Sequence, residues 1–324
     1  MRFKTDSFVV ESNVHFPTDY NLLWDCARKS LDSVSFFVAK YRLNSWRKMP
    51  YWYKTLKNLC RSIGKISGSG GQNKQERLKE ETRVYLHQAV LLLEKIEFGK
   101  KQLPVLDLED LVYLLALDKY ILLLKKHIDL VERRILKGEV IAHKEKMFSI
   151  FETYTEWINK GKSNPSVELG KKVAITTDQH HLIVDYVIME NENDKDITIK
   201  VADTLLSKYK AIQSWSFDKG FWDKSTKELL ATEIDHVIMP KKGTLNSEEK
   251  LFESSYSFKN LRHAHSAVES NINELEHRGL NRCPDRGYAH FKSYVGAAIC
   301  SYNLKKIGRK ILEDQRKLLN LQVA

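Results

Sequence analysis

The sequence predicts a mixed α/β fold whose β-sheet core is interrupted by a long helical insertion. Three observations support this fold class: a strand-like N-terminus, a helical pattern from Tyr20 to about Leu136, and β-rich runs that return near Val167 between short helices. We therefore expect three parts, namely the first strand of the core in residues 1–18, the helical insertion in 19–140, and the rest of the core with the C-terminal helices in 141–324.

The first strand is predicted by alternation of apolar and polar side chains before the stop "FPTD". Its apolar positions are Phe3, Phe8, Val9, Val10, Val14 and Phe16. The insertion separates this strand from its partners, which a fold tolerates when the ends of the insertion lie close together. A helical hairpin would provide that closure.

The helical insertion is predicted to begin at Asp19 as N-cap, before a Gly/Ser-rich loop, "SIGKISGSGGQNKQ". Two long periodic segments follow, with "FGKKQLP" between them. Their apolar stripes consist of Leu78, Thr82, Tyr85, Ala89, Leu92 and Ile96, and of Leu114, Leu117, Ile121, Leu124, Ile128, Val131 and Ile135. We expect an antiparallel coiled-coil hairpin. A dimerising coiled coil is the alternative, which the neighbouring helix of matching length disfavours.

The C-terminal part is predicted to complete the sheet. "VELGKKVAITTDQHHLIVDYVIME" reads as a β-hairpin around a polar turn. The segments "DITIKVADTLLSKY", "IQSWSFD", "DKSTKELLATE" and "DHVIMP" then alternate helix and strand, before a long helical tail. The order is therefore a first strand, a hairpin, a β-α-β-α-β series, and a final helical element.

The composition favours a polyanionic partner. Lys and Arg number 53 against 42 Asp and Glu, a net charge of +11, which fits nucleic acid first and an anionic membrane second. We expect a cytoplasmic, nucleoid-associated protein without membrane binding, because no transmembrane or secretory pattern is present. The four cysteines lack CxxC spacing, which argues against structural zinc and disulfides.

Three acids stand at element positions suited to metal chemistry. Asp6 lies in the first strand, Asp218 ends the strand "SWSF", and Glu269 lies in "HSAVESNIN" on the final helical element. Carboxylates from distant positions can meet around Mg²⁺, and two such ions support an in-line phosphoryl displacement. By itself, Asp218 also fits a turn residue. Other acids fit turn, cap or solvated positions: Asp178, Asp185, Asp196, Asp223 and Glu276.

Five blocks of text resemble the DDE transposases of bacterial insertion sequences, which have an RNase H-like catalytic core. They are "TDSFVVESNVHFPTDYNLLWDCAR", "KMFSIFETYTEWINKGK", "SFDKGFWD", "VIMPKKGTLNSEE" and "RHAHSAVESNINELEHRGLNRCPDRGYAHFKSYVGAAICSYNLKKIG". The resemblance implies that Asp6, Asp218 and Glu269 are the catalytic triad and hold two Mg²⁺ (or Mn²⁺). It also implies cleavage and strand transfer on double-stranded DNA, at terminal inverted repeats and a target, by a homodimer.

The sequence departs from this family at two places. Some relatives carry a Tyr-x₂-Arg-x₃-Glu-x₆-Lys pattern, where this chain has Arg262, His265 and Glu276 around Glu269. Arg262 and His265 remain candidate DNA contacts, and a zinc site at His263 and His265 is a minor alternative. Family members also carry DNA-binding helices before the first aspartate, so we expect a catalytic half that lacks this region.

Further DNA contacts are expected at Lys219, beside Asp218, and at Lys241 and Lys242, after the strand end "VIMP". Two other basic stretches are "SWRKMPYWYKTLKNLCR", equally compatible with an amphipathic helix, and "KGK" at Lys160 and Lys162. The expected function is a DDE transposase catalytic domain. The alternatives are an inactive remnant that only binds DNA or a protein partner, and a different RNase H-like nuclease such as a junction resolvase, which the C-terminal text disfavours.

Overall fold

The computed structural model describes residues 1–159 and 166–323, which form two compact units. The sheet unit comprises Met1–Val14 and Tyr154–Ala324, and the helical unit comprises His15–Thr153. The candidate basic stretch at Lys160 and Lys162 lies outside the described residues. Among the residues described, no helix combines the length and apolar character needed to cross a membrane.

The sheet unit contains a mixed six-stranded sheet, which confirms the predicted mixed α/β class. The strand order is β2-β3-β1-β5-β6, with β4 also paired to β3. β1 runs antiparallel to β3 and parallel to β5. The strands are β1 (Arg2–Glu11), β2 (Glu156–Asn159), β3 (Val167–Thr177), β4 (Ile183–Ile188), β5 (Ser214–Phe217) and β6 (His236–Ile238). The short strand β2 was not predicted, because four residues give too little alternation to distinguish them from a loop.

β1 is the strand on which the site depends, because it lies between β3 and β5. Its side chains alternate between the two faces of the sheet. Phe8 and Val10 pack in one core, with residues of the C-terminal helices, while Phe3 packs in the core on the other face with Trp215. Asp6, two residues before Phe8, therefore shares the face of the C-terminal helices.

Helices cover both faces of this sheet. They are α5 (Asp194–Lys208), α6 (Lys224–Glu233), α7 (Ser247–Ser254), α8 (Tyr256–Leu275) and α9 (Tyr288–Val323). Buried residues of α5 and α6 belong to the Trp215 core, whereas those of α8 and α9 belong to the Phe8 core. A π-helical turn, Glu276–Leu280, follows α8 and contains Gly279 at φ 104°, a conformation that glycine adopts readily.

The C-terminal end of α8 is tied to β1 by backbone hydrogen bonds. Glu11 N–H donates to the Asn281 carbonyl at 3.0 Å, and Cys283 N–H donates to the Glu11 carbonyl at 2.8 Å. Ser12 lies just before the chain leaves the sheet unit, and Thr155 lies just after it returns. Their buried hydroxyls are 2.7 Å apart. The two ends of the insertion are therefore close together, as the low cost of a long insertion requires.

The helical unit is a four-helix bundle, so the prediction of a two-helix coiled-coil hairpin was wrong. Its helices are α1 (Asp19–Tyr41), α2 (Met49–Gly68), α3 (Lys74–Lys100) and α4 (Leu108–Val131). α1 packs mainly along α4 and α2 along α3, and all four contribute to one core. α1 and α2 have apolar faces of their own, which a separate α3–α4 hairpin would leave uncovered. The N-cap of α1 is Thr18 rather than Asp19, since the Thr18 side chain accepts from Asn21 N–H.

Candidate active site

Asp6 is held rigidly in the middle of β1. Its carboxylate accepts a hydrogen bond from the Ser7 N–H at 2.7 Å, and the side chain is only partly exposed. The strand on either side is clamped, because Thr5 pairs with Phe217 of β5 and Ser7 with Ala174 of β3. Backbone pairing on both edges leaves this carboxylate little freedom to move.

Asp218 stands next to Asp6 because of the parallel register of β1 and β5. Lys4 is paired with Ser216, and Thr5 with Phe217. The next residues are Asp6 on β1 and Asp218 directly after β5, and continued alternation along the strands places both on the α8 face. Asp218 then begins a short 3₁₀ turn, whose Phe221 N–H donates to the Asp218 carbonyl at 3.1 Å. The buried Phe221 ring anchors this turn, while the Asp218 carboxylate is exposed.

Glu269 reaches the same site from α8. The helix packs on the sheet through Val268 and Ile272, which are buried in the core containing Phe8. Glu269 directly follows Val268 and lies at the border of that buried face, so its carboxylate is exposed. The helical register thus sets the height of Glu269 above the sheet.

The charges of Asp218 and Glu269 act on the carboxyl of Asp6. The pKa of its carboxyl is raised to about 7, chiefly because burial disfavours the charged form. The Ser7 N–H acts in the opposite direction, and the charges of Asp218, Glu269 and Asp194 add to the effect of burial. A carboxyl pKa raised mainly by burial, with a smaller contribution from neighbouring acids, is typical of functional sites.

The carboxylates of Asp6, Asp218 and Glu269 are chemically suited to a hard divalent cation. Carboxylate oxygens are the ligands that Mg²⁺ prefers, and Asp218 and Glu269 are both exposed to an incoming ion. Across the residues described, however, no group of three His, Cys, Asp or Glu side chains is placed to hold a metal ion. The same finding gives the zinc alternative at His263 and His265 no support, since His263 is exposed and His265 is buried.

A fourth acid, Asp194, supports the site from the opposite face of the sheet. It is the first residue of α5 and accepts a hydrogen bond from Ser7 Oγ at 2.7 Å, while Lys172 Nζ lies 3.3 Å away. A Cβ on Gly220 would lie 2.8 Å from Asp194 Oδ2, which explains the glycine in "SFDKGF". Asp194 was not predicted from the sequence, since nothing local distinguishes it from other acids at the N-terminus of a helix.

His265 is buried rather than presented to solvent. It is 7% exposed, and its Nδ1 lies 2.9 Å from the buried Ser216 Oγ. Burial lowers the pKa of His265 to about 4, so the ring is neutral at pH 7. Its Nε2 has no hydrogen-bond partner within the described part of the chain. Ser216 was missed as well, because a serine inside a strand carries no signal of its own.

The candidate DNA contacts differ in how freely they are presented. Lys219, Lys242 and Arg262 are exposed, and Arg262 lies 3.9 Å from Glu253. Lys241 is instead engaged by both carboxylate oxygens of Glu249 at 2.7 Å. The cysteines form no disulfide; Cys26, Cys60 and Cys283 are buried, and Cys300 is exposed.

The family comparison covers the part of the chain that carries two of the three acids. The family model described as "Transposase DDE domain" matches residues 137–304, just over half of the chain. The match includes Asp218 and Glu269, and β1 brings Asp6 to them from outside the matched range. The comparison with curated proteins and the comparison with solved structures found no match.

Proposed function

Since the chain belongs to the DDE transposase family, we propose that its sheet unit is a catalytic domain that cuts DNA at transposon ends and joins the cut strand to a target. Family membership implies DNA as the partner and a nuclease or transferase as the enzyme class. The observation that supports the specific proposal is the parallel register of β1 and β5, which pairs Thr5 with Phe217 directly before Asp6 and Asp218, together with the influence of the Asp218 and Glu269 charges on the pKa of Asp6.

Each acid has a distinct part in this proposal. Asp6 is the fixed point, because its strand is paired on both edges and its carboxylate accepts from Ser7 N–H. Asp218 and Glu269 are exposed and approach the substrate from β5 and α8. The negative charges of these carboxylates would repel a scissile phosphate beside them, so a cation between the two is needed to balance the charge.

The proposed cofactor is a pair of Mg²⁺ or Mn²⁺ ions held by Asp6, Asp218 and Glu269. Members of the family generally use divalent metal ions. When bound, such ions lower the pKa of an attacking water or 3′-hydroxyl and neutralise the leaving oxygen. The chain's own contribution is to hold three oxygen donors on β1, β5 and α8 and to remove Asp6 partly from water.

DNA would be held by cations around this acidic site. Lys219 directly follows Asp218 and is exposed, as are Lys242 and Arg262. These side chains would neutralise backbone phosphates on either side of the scissile bond, within a chain of net charge +11. The proposal includes an RNase H-like arrangement of the sheet and action as a homodimer on paired transposon ends.

The test is metal-dependent cleavage of DNA that carries the sequences flanking the coding region. The protein is incubated with a supercoiled plasmid bearing that DNA and with Mg²⁺ or Mn²⁺, beside the variants Asp6→Asn, Asp218→Asn and Glu269→Gln. Asp203→Asn, an exposed aspartate on α5, is the matched control. We expect the three site variants to lose cleavage at least 100-fold while retaining DNA binding, and the control to match the wild type.

Equal cleavage by wild type and Asp218→Asn would overturn the proposal. DNA binding without any cleavage by the wild type would instead support an inactive remnant that acts only as a DNA-binding module. Light scattering of the protein on DNA with two ends addresses the homodimer, for which a complex of one protomer would be the contrary result.

A further inference from the structure

A buried hydrogen bond joins the two elements that carry Asp218 and Glu269. Ser216 of β5 and His265 of α8 are 4% and 7% exposed, and their Oγ and Nδ1 atoms lie 2.9 Å apart. Neither residue belongs to the acidic triad. Neither residue is a proposed metal ligand or an exposed cation of the site.

The position of this bond follows from two periodicities. Ser216 lies two residues before Asp218, on the same face of β5, at a rise of about 6.6 Å. His265 lies four residues before Glu269, about one turn along the same face of α8, at a rise of about 6 Å. The hydrogen bond therefore lies one step below both carboxylates, at nearly equal distances along strand and helix.

The chemistry of His265 suits a positioning role better than a phosphate contact. Its ring is neutral at pH 7 because burial opposes the charged form. A neutral imidazole that is 7% exposed offers no positive charge to DNA. The hydroxyl of Ser216 and Nδ1 of His265 can instead fix the distance between strand and helix through one short, water-excluded bond.

The chain that follows α8 is also fixed to the sheet. After the π-helical turn, the backbone bonds between Glu11 and the segment Asn281–Cys283 tie the chain to β1. The Ser216–His265 bond adds a polar restraint at the middle of the helix, near the site. After loss of the bond α8 would still pack on the sheet through Val268 and Ile272, but the polar contact that fixes its distance from β5 near Asp218 would be gone, and Glu269 would shift relative to Asp218.

We propose that Ser216 and His265 form a positioning pair that sets the separation of Asp218 and Glu269 for metal binding. The inference rests on the proposed function in treating these two carboxylates as metal ligands. The pair contacts neither the metal nor the DNA. It acts through the backbone of β5 and α8, as residues behind metal ligands do when they orient a carboxylate.

The experiment compares variants that break the bond with one that preserves it. Ser216→Ala and His265→Leu remove one partner each, whereas His265→Asn keeps a polar atom close to the position of Nδ1. Mn²⁺ binding is measured by electron paramagnetic resonance without DNA, and cleavage is measured as a function of Mn²⁺ concentration. DNA affinity in the absence of metal and the melting temperature are recorded for every variant.

We expect Ser216→Ala and His265→Leu to weaken Mn²⁺ binding about 10-fold and to raise the Mn²⁺ needed for half-maximal cleavage by a similar factor. His265→Asn should stay within about 3-fold of the wild type on the same scale. The double variant should be no worse than the more affected single variant, because both changes remove the same bond. DNA affinity should be unchanged.

Three results would overturn the pairing. The first is unchanged Mn²⁺ binding in both bond-breaking variants. The second is a loss in the double variant that equals the product of the two single losses. The third is a loss of DNA affinity with a normal Mn²⁺ profile, which would make His265 a DNA contact.

Failure of the proposed function has a different signature, namely Mn²⁺ binding by the wild type without cleavage. In that case the binding titration still decides the role of the pair. A wild type that binds no Mn²⁺ overturns both.

Discussion

The indole of Trp215 donates a hydrogen bond to the hydroxyl of Thr5, 2.7 Å away in a fully buried setting. The Thr5 hydroxyl also lies 2.7 Å from that of Thr176, so one short chain of polar atoms crosses β5, β1 and β3. Thr5 immediately precedes Asp6. The backbone that presents the first acid is therefore fixed from the opposite face of the sheet.

We predict that Thr5→Val, which keeps the shape of the side chain, lowers the free energy of unfolding by about 1–3 kcal/mol. The change leaves the buried Trp215 N–H without an acceptor. Urea denaturation monitored by tryptophan fluorescence provides the measurement. Thr232→Val is the control, since that hydroxyl is exposed and bonds only within its own helix. Equal stability of the two variants would contradict this role of Thr5.

We predict that Asp6 makes the free energy of unfolding fall as the pH rises. Its pKa is about 7 in the folded protein and 3.8 in the reference state, so the folded state binds a proton more tightly. Stability is therefore lost as the pH rises from about 4 through 7. Without metal, Asp6→Asn should be more stable than the wild type by on the order of 4 kcal/mol at pH 8, and by less at pH 5.

Denaturation in EDTA at the two pH values tests this sign for Asp6→Asn. Asp203→Asn, which removes an exposed carboxylate from α5, should show no such pH-dependent gain. A gain for Asp6→Asn that is larger at pH 5 than at pH 8 would contradict the prediction.

His127 should make the helical unit sensitive to acid. The ring is 1% exposed, neither nitrogen has a hydrogen-bond partner in the described residues, and burial lowers its pKa to about 4. The unfolded chain takes up the proton first, so stability is full above pH 6.5 and falls as the pH drops towards 4. The loss at pH 5 is about 2 kcal/mol.

His127→Leu should remove this part of the acid sensitivity. We expect the difference in unfolding free energy between pH 7.5 and pH 5 to shrink by about 2 kcal/mol relative to the wild type. His87→Gln, at an exposed position of α3, is the control and should keep the wild-type difference. The prediction fails if both variants respond to pH as the wild type does.

Gly220 should resist substitution because of Asp194. In Gly220→Ala the new Cβ meets Asp194 Oδ2 at 2.8 Å, so the Asp194 carboxylate must move, which disturbs its hydrogen bond from Ser7 Oγ. We expect a loss of about 1–3 kcal/mol in stability and a fall in cleavage. Gly308 lies on α9, and a Cβ added there would meet no atom within 4 Å. Gly308→Ala should therefore leave the stability unchanged or increase it. The cost of Gly220→Ala should be smaller in an Asp194→Ala background, and an equal cost would contradict the argument.

The sequence predicts the features of this fold that depend on local pattern. Alternation in the first strand and the helical pattern near the C-terminus are local, and they place Asp6 on a strand and Glu269 on a helix. The grouping of helices is not local. The stripes of α3 and α4 fit a coiled coil or a bundle equally well, and only the apolar faces of α1 and α2 decide between them.

The residues that support the site could not be predicted from the sequence, because their contacts are not local either. His265 occupies a position where an exposed contact was expected, yet it turns inward to Ser216. Asp194 bonds to Ser7, nearly two hundred residues earlier in the chain. Such pairs become visible only when the sheet brings distant strands and helices together, whereas the three acids were singled out by the sequence blocks that resemble transposases.

The central position of β1 has a consequence for synthesis on the ribosome. The partner strand β5 and the helix α8 are synthesised more than two hundred residues after Asp6. At about 5–20 residues per second, the nascent strand waits on the order of 10–50 s without a parallel neighbour. The candidate site can therefore assemble only after α8 has been synthesised, and a chain that stops before β5 contains Asp6 without Asp218 and Glu269.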